Sequence, residues 1–189
     1  RFELALIKLG IDSDGLNGKV AKADIFEVTS LNIERYGITD LSGIEGFTSL
    51  TILYCGQNPI TRLNLSQNKA LKELYFSGTQ ITTLNLRNHP SLEYLYGEAN
   101  PLINLDVSNC PSLENLRVGN NQLTSLDVRN GNNLNVTNSS ANNNPDLTCI
   151  YVDDKTADLS AWQKDATANF VDNEAECGVS VPMTYVPDD

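Results

Sequence analysis

The chain has one histidine, one methionine and one tryptophan in 189 residues, and 13 lysines and arginines against 24 aspartates and glutamates. Each shortage excludes something. With a formal net charge of −11, no Lys/Arg stripe is available to displace counterions from a nucleic-acid backbone or to hold an anionic membrane surface, and the charge itself favours solubility. No apolar run approaches the roughly 20 residues of a membrane span. The lone His89 has no serine or cysteine nucleophile fixed beside it, and general acid–base work needs partners within hydrogen-bond reach. "GQNP" and "GNNQ" are turns, not phosphate-cradling loops. The four cysteines fit no zinc spacing. The expectation is therefore a non-enzyme with no cofactor, no metal, no nucleic-acid partner and no membrane insertion. The chain opens on Arg1 without a signal peptide and reads as mature or trimmed.

What is abundant is leucine at a fixed interval. Leu50, Leu71, Leu92, Leu113 and Leu134 are 21 residues apart. Leu53, Leu74, Leu95 and Leu116 form a second column, and Ile60, Ile81, Leu102 and Leu123 a third. Leu63, Leu84, Leu105 and Leu126, and then Leu65, Leu86, Val107 and Val128, complete the pattern. A period in this range marks a solenoid: one coil cannot bury its apolar face alone, but stacked coils bury a continuous core. The pairs Leu53/Cys55, Leu74/Phe76, Leu95/Gly97 and Leu116/Val118 have the alternation of a strand. Leu63/Leu65 and its equivalents predict an extended segment or short strand on the opposite wall. Asn58, Asn100 and Asn121, with Thr79 in one coil, stand where the chain turns inward and can satisfy backbone groups that the bend leaves unpaired. Asn88, Asn109, Asn130 and Asn143 are expected to do the same at the other corner.

The segments "LTILYCGQNPITRLNLSQNKA", "LKELYFSGTQITTLNLRNHPS", "LEYLYGEANPLINLDVSNCPS" and "LENLRVGNNQLTSLDVRNGNN" resemble leucine-rich repeats, and most closely the short 21-residue type of secreted flavobacterial proteins. The resemblance implies an α/β-repeat class, mostly β: a leucine-rich repeat solenoid with short concave strands, an extended or short-strand convex side, and helical caps at both ends. It also implies a secreted or cell-surface location. The expected organisation is an N-terminal helical cap over 1–27, the solenoid over 28–152, a C-terminal cap over 153–178 and a tail or linker over 179–189. Phe2 to Leu9 predict a short amphipathic helix stopped by Gly10. Val136, Ser139, Ala141 and Leu147 keep the spacing of Leu123, Leu126, Val128 and Leu134, so one coil is expected to lack eight residues. Leu147, Ile150 and Val152 then predict a last concave strand. Leu159, Trp162, Ala166 and Phe170 recur at helical spacing, with Asp158 as a cap. Cys149 and Cys177 bracket this region, and the family pattern "LTCI…C" implies that they form a disulfide worth roughly 3 kcal/mol. Cys55 falls in a core column, and Cys110 at a corner with Asn68, His89 and Gly131.

"DSDG" at Asp12 to Gly15 partly matches a calcium loop, but Gly15 comes too early and no Glu follows at the required spacing, so a tight turn is the better reading. The N-x-S/T triplets at Asn64, Asn135 and Asn138 are read as incidental, because the resemblance implies a bacterial source.

Function is then sought by column. The residue between the two inward positions of each concave strand is Tyr54, Tyr75, Tyr96, Arg117 and, in the expected last strand, Tyr151. Tyr94 and Glu73 share the flanking column, and Glu98 lies just past its strand. The tyrosines either stabilise the sheet as cross-strand neighbours or form a recognition face, since Tyr and Arg are enriched at binding hot spots. The second reading makes the chain an adhesion or recognition module for a protein or an extracellular glycan. A structural spacer is the alternative; an accessory domain of a glycan-processing enzyme is a further one.

Overall fold

The computed structural model describes residues 1–177; the expected tail over 179–189 lies outside the described residues. Among the described residues eleven strands of two or three residues each run parallel in two walls. The first wall is a seven-stranded sheet of β1 (Ser30–Asn32), β2 (Ile52–Tyr54), β3 (Glu73–Tyr75), β4 (Tyr94–Tyr96), β6 (Asn115–Arg117), β8 (Asn138–Ser140) and β10 (Trp162–Gln163), in that order. The second is four-stranded, in the order β11 (Asn169–Val171), β9 (Cys149–Tyr151), β7 (Ser125–Asp127), β5 (Asn104–Asp106). A coil that contributes one strand to each wall and returns to the first is a β-solenoid of about seven turns.

The leucine columns make this shape. Leu31, Leu53, Leu74, Leu95 and Leu116 are register partners across β1, β2, β3, β4 and β6, and all are buried. Full burial of a leucine contributes about 1.5–3 kcal/mol, so each coil adds several such terms only when its neighbour is in place. Leu105, Leu126 and Ile150 stack likewise on the second wall.

Asparagine closes the corner after the first wall. Asn58 Nδ2 donates to the carbonyls of Ile33, Cys55 and Gly56, and its Oδ1 accepts from Ile38 N. Asn100, Asn121 and Asn144 repeat the donor contacts one coil at a time. The residue before each of these, and before Thr79, is left-handed: Gln57, Gly78, Ala99, Asn120 and Asn143 have φ between 55° and 69°. Thr79 donates its hydroxyl to Asn100 Oδ1 (2.5 Å) but cannot supply the amide donors. Asp165 receives the N–H groups of Asn143 and Asn144 at the corresponding corner of the last coil.

The opposite corner keeps the expected Asn130, buried and donating to the Cys110 carbonyl at 3.0 Å, but elsewhere differs from expectation by one residue. Asn88 and Asn109 are exposed. The buried places belong to Asn68, His89, Cys110 and Asn133, each followed three residues later by the buried Leu71, Leu92, Leu113 and Val136. Asn143 belongs to the first corner instead, beside Asn144.

Three expectations fail for one reason. Leu116 is in register with Ser139, a step of 23 residues where the preceding step, Leu95 to Leu116, is 21. The coil is lengthened by two at the corner between Cys110 and Asn133, not shortened by eight. Leu134 is consequently 68% exposed and Val136 takes its buried place. The polar "NSS" strand joins the first wall, and Cys149–Tyr151, expected there, pairs with β7 on the second wall. The region from Leu159 to Phe170 is one more coil: β10 pairs with β8, and β11 with β9. Trp162 and Phe170 stand in strands β10 and β11, Leu159 is buried just before β10 and Ala166 is exposed in the turn between them; Trp162 meets Phe170 edge-on at 6.3 Å, and Asp158 caps a turn through Ser160 N. No C-terminal α-helix occurs among the described residues. At the other end the expected helix is present as α1 (Phe2–Lys8), burying Ala5 and Leu6, with Phe2 6.1 Å from Phe47; Gly10 follows at φ 70°.

Gly97 lies in the inward column of Cys55, Phe76 and Val118 because the Phe76 ring occupies its side-chain space; a Cβ there would overlap that ring. Gly97→Ala should therefore cost about 1–3 kcal/mol by overpacking, read in urea unfolding, and Phe76→Leu in the same chain should return part of the loss.

The tyrosine ladder as a candidate interaction site

The register that stacks the leucines also stacks what lies between them. Tyr54, Tyr75, Tyr96 and Arg117 are successive partners on β2, β3, β4 and β6. Parallel strands are spaced about 4.8 Å apart, close to the separation at which aromatic rings pack. The rings accept that spacing: Tyr54 and Tyr75 have centroids 4.4 Å apart and planes 11° apart, and Tyr75 and Tyr96 are 4.9 Å and 17° apart. All three are half-buried.

The stack is closed at one end by the chain itself. The Arg117 guanidinium lies 6.0 Å from the Tyr96 ring centroid and bonds Glu98 Oε1 through Nε (3.2 Å) and Nη2 (3.1 Å). Within the stack the Tyr75 hydroxyl donates to Glu73 Oε2 at 2.9 Å. Burial first, and this bond second, hold the Tyr75 phenol well above its ordinary range, so it is a neutral donor at physiological pH. Tyr94 sits between Glu73 and Asn115 in the flanking column. Lys72, one residue before β3, pairs with Glu93 at 2.9 Å. Seven of the eight predicted binding residues thus share one wall. Within the stack the ring faces are turned on each other.

Tyr151 does not join them. It is on the second wall, 9% exposed, under the Arg129 guanidinium at 5.0 Å. Arg129 bonds Asp127 (Nε–Oδ1 3.0 Å) and Glu174 (3.2 Å). The expected Cys149–Cys177 disulfide is present, with Cα atoms 6.0 Å apart, and it fastens the 3-10 turn Glu174–Cys177 to that wall. Sequence reading missed Arg129, Asn32 and Glu34; the last two extend the Tyr54 and Glu98 columns upstream, hidden by a 22-residue step.

The other candidate groups are structural. His89 is buried, with Nε2 3.2 Å from the Leu65 carbonyl and Nδ1 without a hydrogen bond. Cys55 and Cys110 are buried thiols pushed up to about 12 by burial. Asp12 Oδ1 accepts from Asp14 N at 3.3 Å, which makes "DSDG" a turn. Among the described residues no group of three His, Cys, Asp or Glu is placed to hold a metal.

No protein-family model matches the chain, and no curated protein does. Solved structures do. The functional domain of InlJ from Listeria monocytogenes, which includes a cysteine ladder, is 31% identical with a TM-score of 0.61, over 75% of this chain and 34% of its own. The chain has the leucine-rich repeat fold. An internalin, InlF, from Listeria monocytogenes is 21% identical (TM-score 0.55, 86% of this chain, 54% of its own). A leucine-rich repeat protein of Leptospira interrogans is also 21% identical (TM-score 0.54, 78% of this chain, 38% of its own). The chain thus spans about a third to a half of these structures. In this leucine-rich repeat the two free cysteines occupy different columns: Cys55 faces the core beside Phe76, and Cys110 follows His89 at a corner.

His89 supplies a pH test. Burial holds its pKa below the ordinary 6.5, so the folded state favours neutral imidazole while the unfolded chain protonates first. Its contribution is complete above about 6.5 and is lost as pH falls, levelling off below the folded value. Asn68 fills the same corner with its amide on Ile44 and Phe47 carbonyls. His89→Asn should therefore flatten the acid side of the stability profile by up to about 1.4 kcal/mol per pH unit in that window, measured by urea unfolding from pH 7.5 to 5.

Proposed function

We propose that this chain is a non-catalytic extracellular or surface-displayed binding module that recognises a protein through the outer face of its seven-stranded wall. The observation that carries the reading is the stack of Tyr54, Tyr75 and Tyr96 capped by Arg117. Rings that lock one another lose little conformational freedom on binding, and pre-ordered Tyr and Arg are the side chains that dominate interface energies. Tyr94, Glu73 and Glu98 frame the strip with polar groups that fix orientation. Ring-on-ring packing favours a protein over a glycan, because sugar CH groups need open ring faces and the inner faces here are covered. The likeness to internalins and other leucine-rich repeat proteins, and the Cys149–Cys177 disulfide, support an oxidising location outside the cell. The carboxylates that could have served hydrolysis are engaged, Glu73 by Tyr75 and Glu98 by Arg117, and they stand on an open wall rather than in a water-excluding cleft.

A spacer role is the second reading, favoured by the same stack acting only as cross-strand support worth about 0.2–1 kcal/mol per pair. The Tyr75→Ser/Tyr96→Ser double variant separates the two. Wild type and variant are screened in parallel on arrays of protein ectodomains and of glycans, with unfolding measured on both. The expected result is a protein ligand whose affinity falls at least about tenfold in the variant. A glycan ligand with the same sensitivity changes the partner class, and no ligand sensitive to the variant leaves the spacer.

A further inference from the structure

The tyrosine stack has two ends, and among the described residues a cation packs on only one. At the far end Arg117 covers the Tyr96 face and Glu98 holds it there. At the near end the register partner of Tyr54 is Asn32, and among the described residues neither a ring nor a cation packs on the Tyr54 face toward β1. Asn32 is short and exposed, and its Oδ1 is turned back to accept from Glu34 N at 3.1 Å. Among the described residues β1 is the edge of the sheet, with no further strand beyond it.

A carboxylate stands at this end too. Ile33 N bonds the Tyr54 carbonyl at 2.9 Å and Arg35 N bonds the Gly56 carbonyl at 3.2 Å. Gly97 N and Ala99 N make the same two bonds to Arg117 and Gly119. Glu34 therefore occupies the Glu98 column. It is exposed and makes no salt bridge among the described residues. The near end also has a ring and an acid, but here the acid stands on the coil beyond the ring, beside Asn32, where at the far end it shares the coil of Tyr96; no guanidinium packs on the ring among the described residues.

We infer that the Tyr54 face, with Asn32 and Glu34, is a niche for an arginine side chain of the protein partner. The inference rests on the reading of the tyrosine wall as an interaction face and names the chemistry of its partner. Guanidinium is suited to the position because it is planar, stacks on an aromatic face and can present two N–H groups to one carboxylate. Lysine's ammonium is a strongly hydrated point charge and lacks that planar match. The chain's net charge of −11 draws a basic partner segment to this surface.

The test uses the full chain with ring-labelled tyrosine, titrated by NMR with N-acetyl-arginine amide and with N-acetyl-lysine amide at 150 mM salt. Arginine amide is expected to shift the Tyr54 ring saturably, several-fold more tightly than lysine amide, and Glu34→Gln should weaken it by up to about fivefold, the size of an exposed ion pair. Arg117→Ala should open a second site, so that arginine amide then also shifts Tyr96. Saturable binding at Tyr96 in that variant without binding at Tyr54 overturns the niche, as does an equal response to lysine amide or no saturable response at either ring. If the niche fails while the Tyr75→Ser/Tyr96→Ser variant still loses a protein ligand, the wall remains an interface and only the arginine assignment falls. If arginine amide binds and no ligand depends on the wall, the niche stands and the proposed function falls.

Discussion

The rise between neighbouring parallel strands, about 4.8 Å, is the constraint on which the rest of this molecule depends. Leucines separated by one coil touch because of it, and so the core is continuous. The same rise presents Tyr54, Tyr75 and Tyr96 to one another at ring-packing distance, 4.4 and 4.9 Å. Exposed side chains in a solenoid are consequently not independent. A residue type repeated along a column becomes a single object, here a ribbon of rings ended by a guanidinium.

The corners make that rise possible. A chain that reverses direction twice per coil leaves N–H and C=O groups that no strand can pair, and the cost of an orphaned buried group is about 1–3 kcal/mol. Asparagine meets both needs from one side chain, so it recurs at Asn58, Asn100, Asn121 and Asn144. The substitutions are informative. Thr79 keeps a hydroxyl donor and loses the amide, while Asp165 keeps the acceptor in the last coil. At the other corner Asn68 gives way to His89 and Cys110, which keep one contact each to the Leu65 and Leu86 carbonyls. Burial then raises the thiols and depresses the imidazole, which makes His89 a buried group sensitive to acid.

Charge is arranged around the ribbon rather than within the core. Lys72 and Arg117 are paired with Glu93 and Glu98, while Glu34 and Glu114 have no salt bridge among the described residues. The second wall is organised differently. Asn64, Asn85, Asp106 and Asp127 each accept the N–H two residues on, so its short polar column is spent on turns. Tyr151 there is covered by Arg129 and by the turn that the disulfide holds.

The residues alone determined the repeat, the inward columns, the helix at the N-terminus and the line of tyrosines, because periodic burial writes itself into the spacing of apolar side chains. They did not determine which wall a segment joins once the period slips. Both walls use the same three-residue in-and-out alternation, and apolarity favours "CIY" over "NSS" for the first wall. Only the backbone pairing, shifted by two extra residues at a corner, placed Ser139 beside Leu116 and Ile150 beside Leu126. The same holds at Trp162 and Phe170, whose helical spacing also satisfies two strands separated by a turn. That the rings lie face to face, and that Arg117 closes one end, was decided by side-chain directions that only the stacked coils fix.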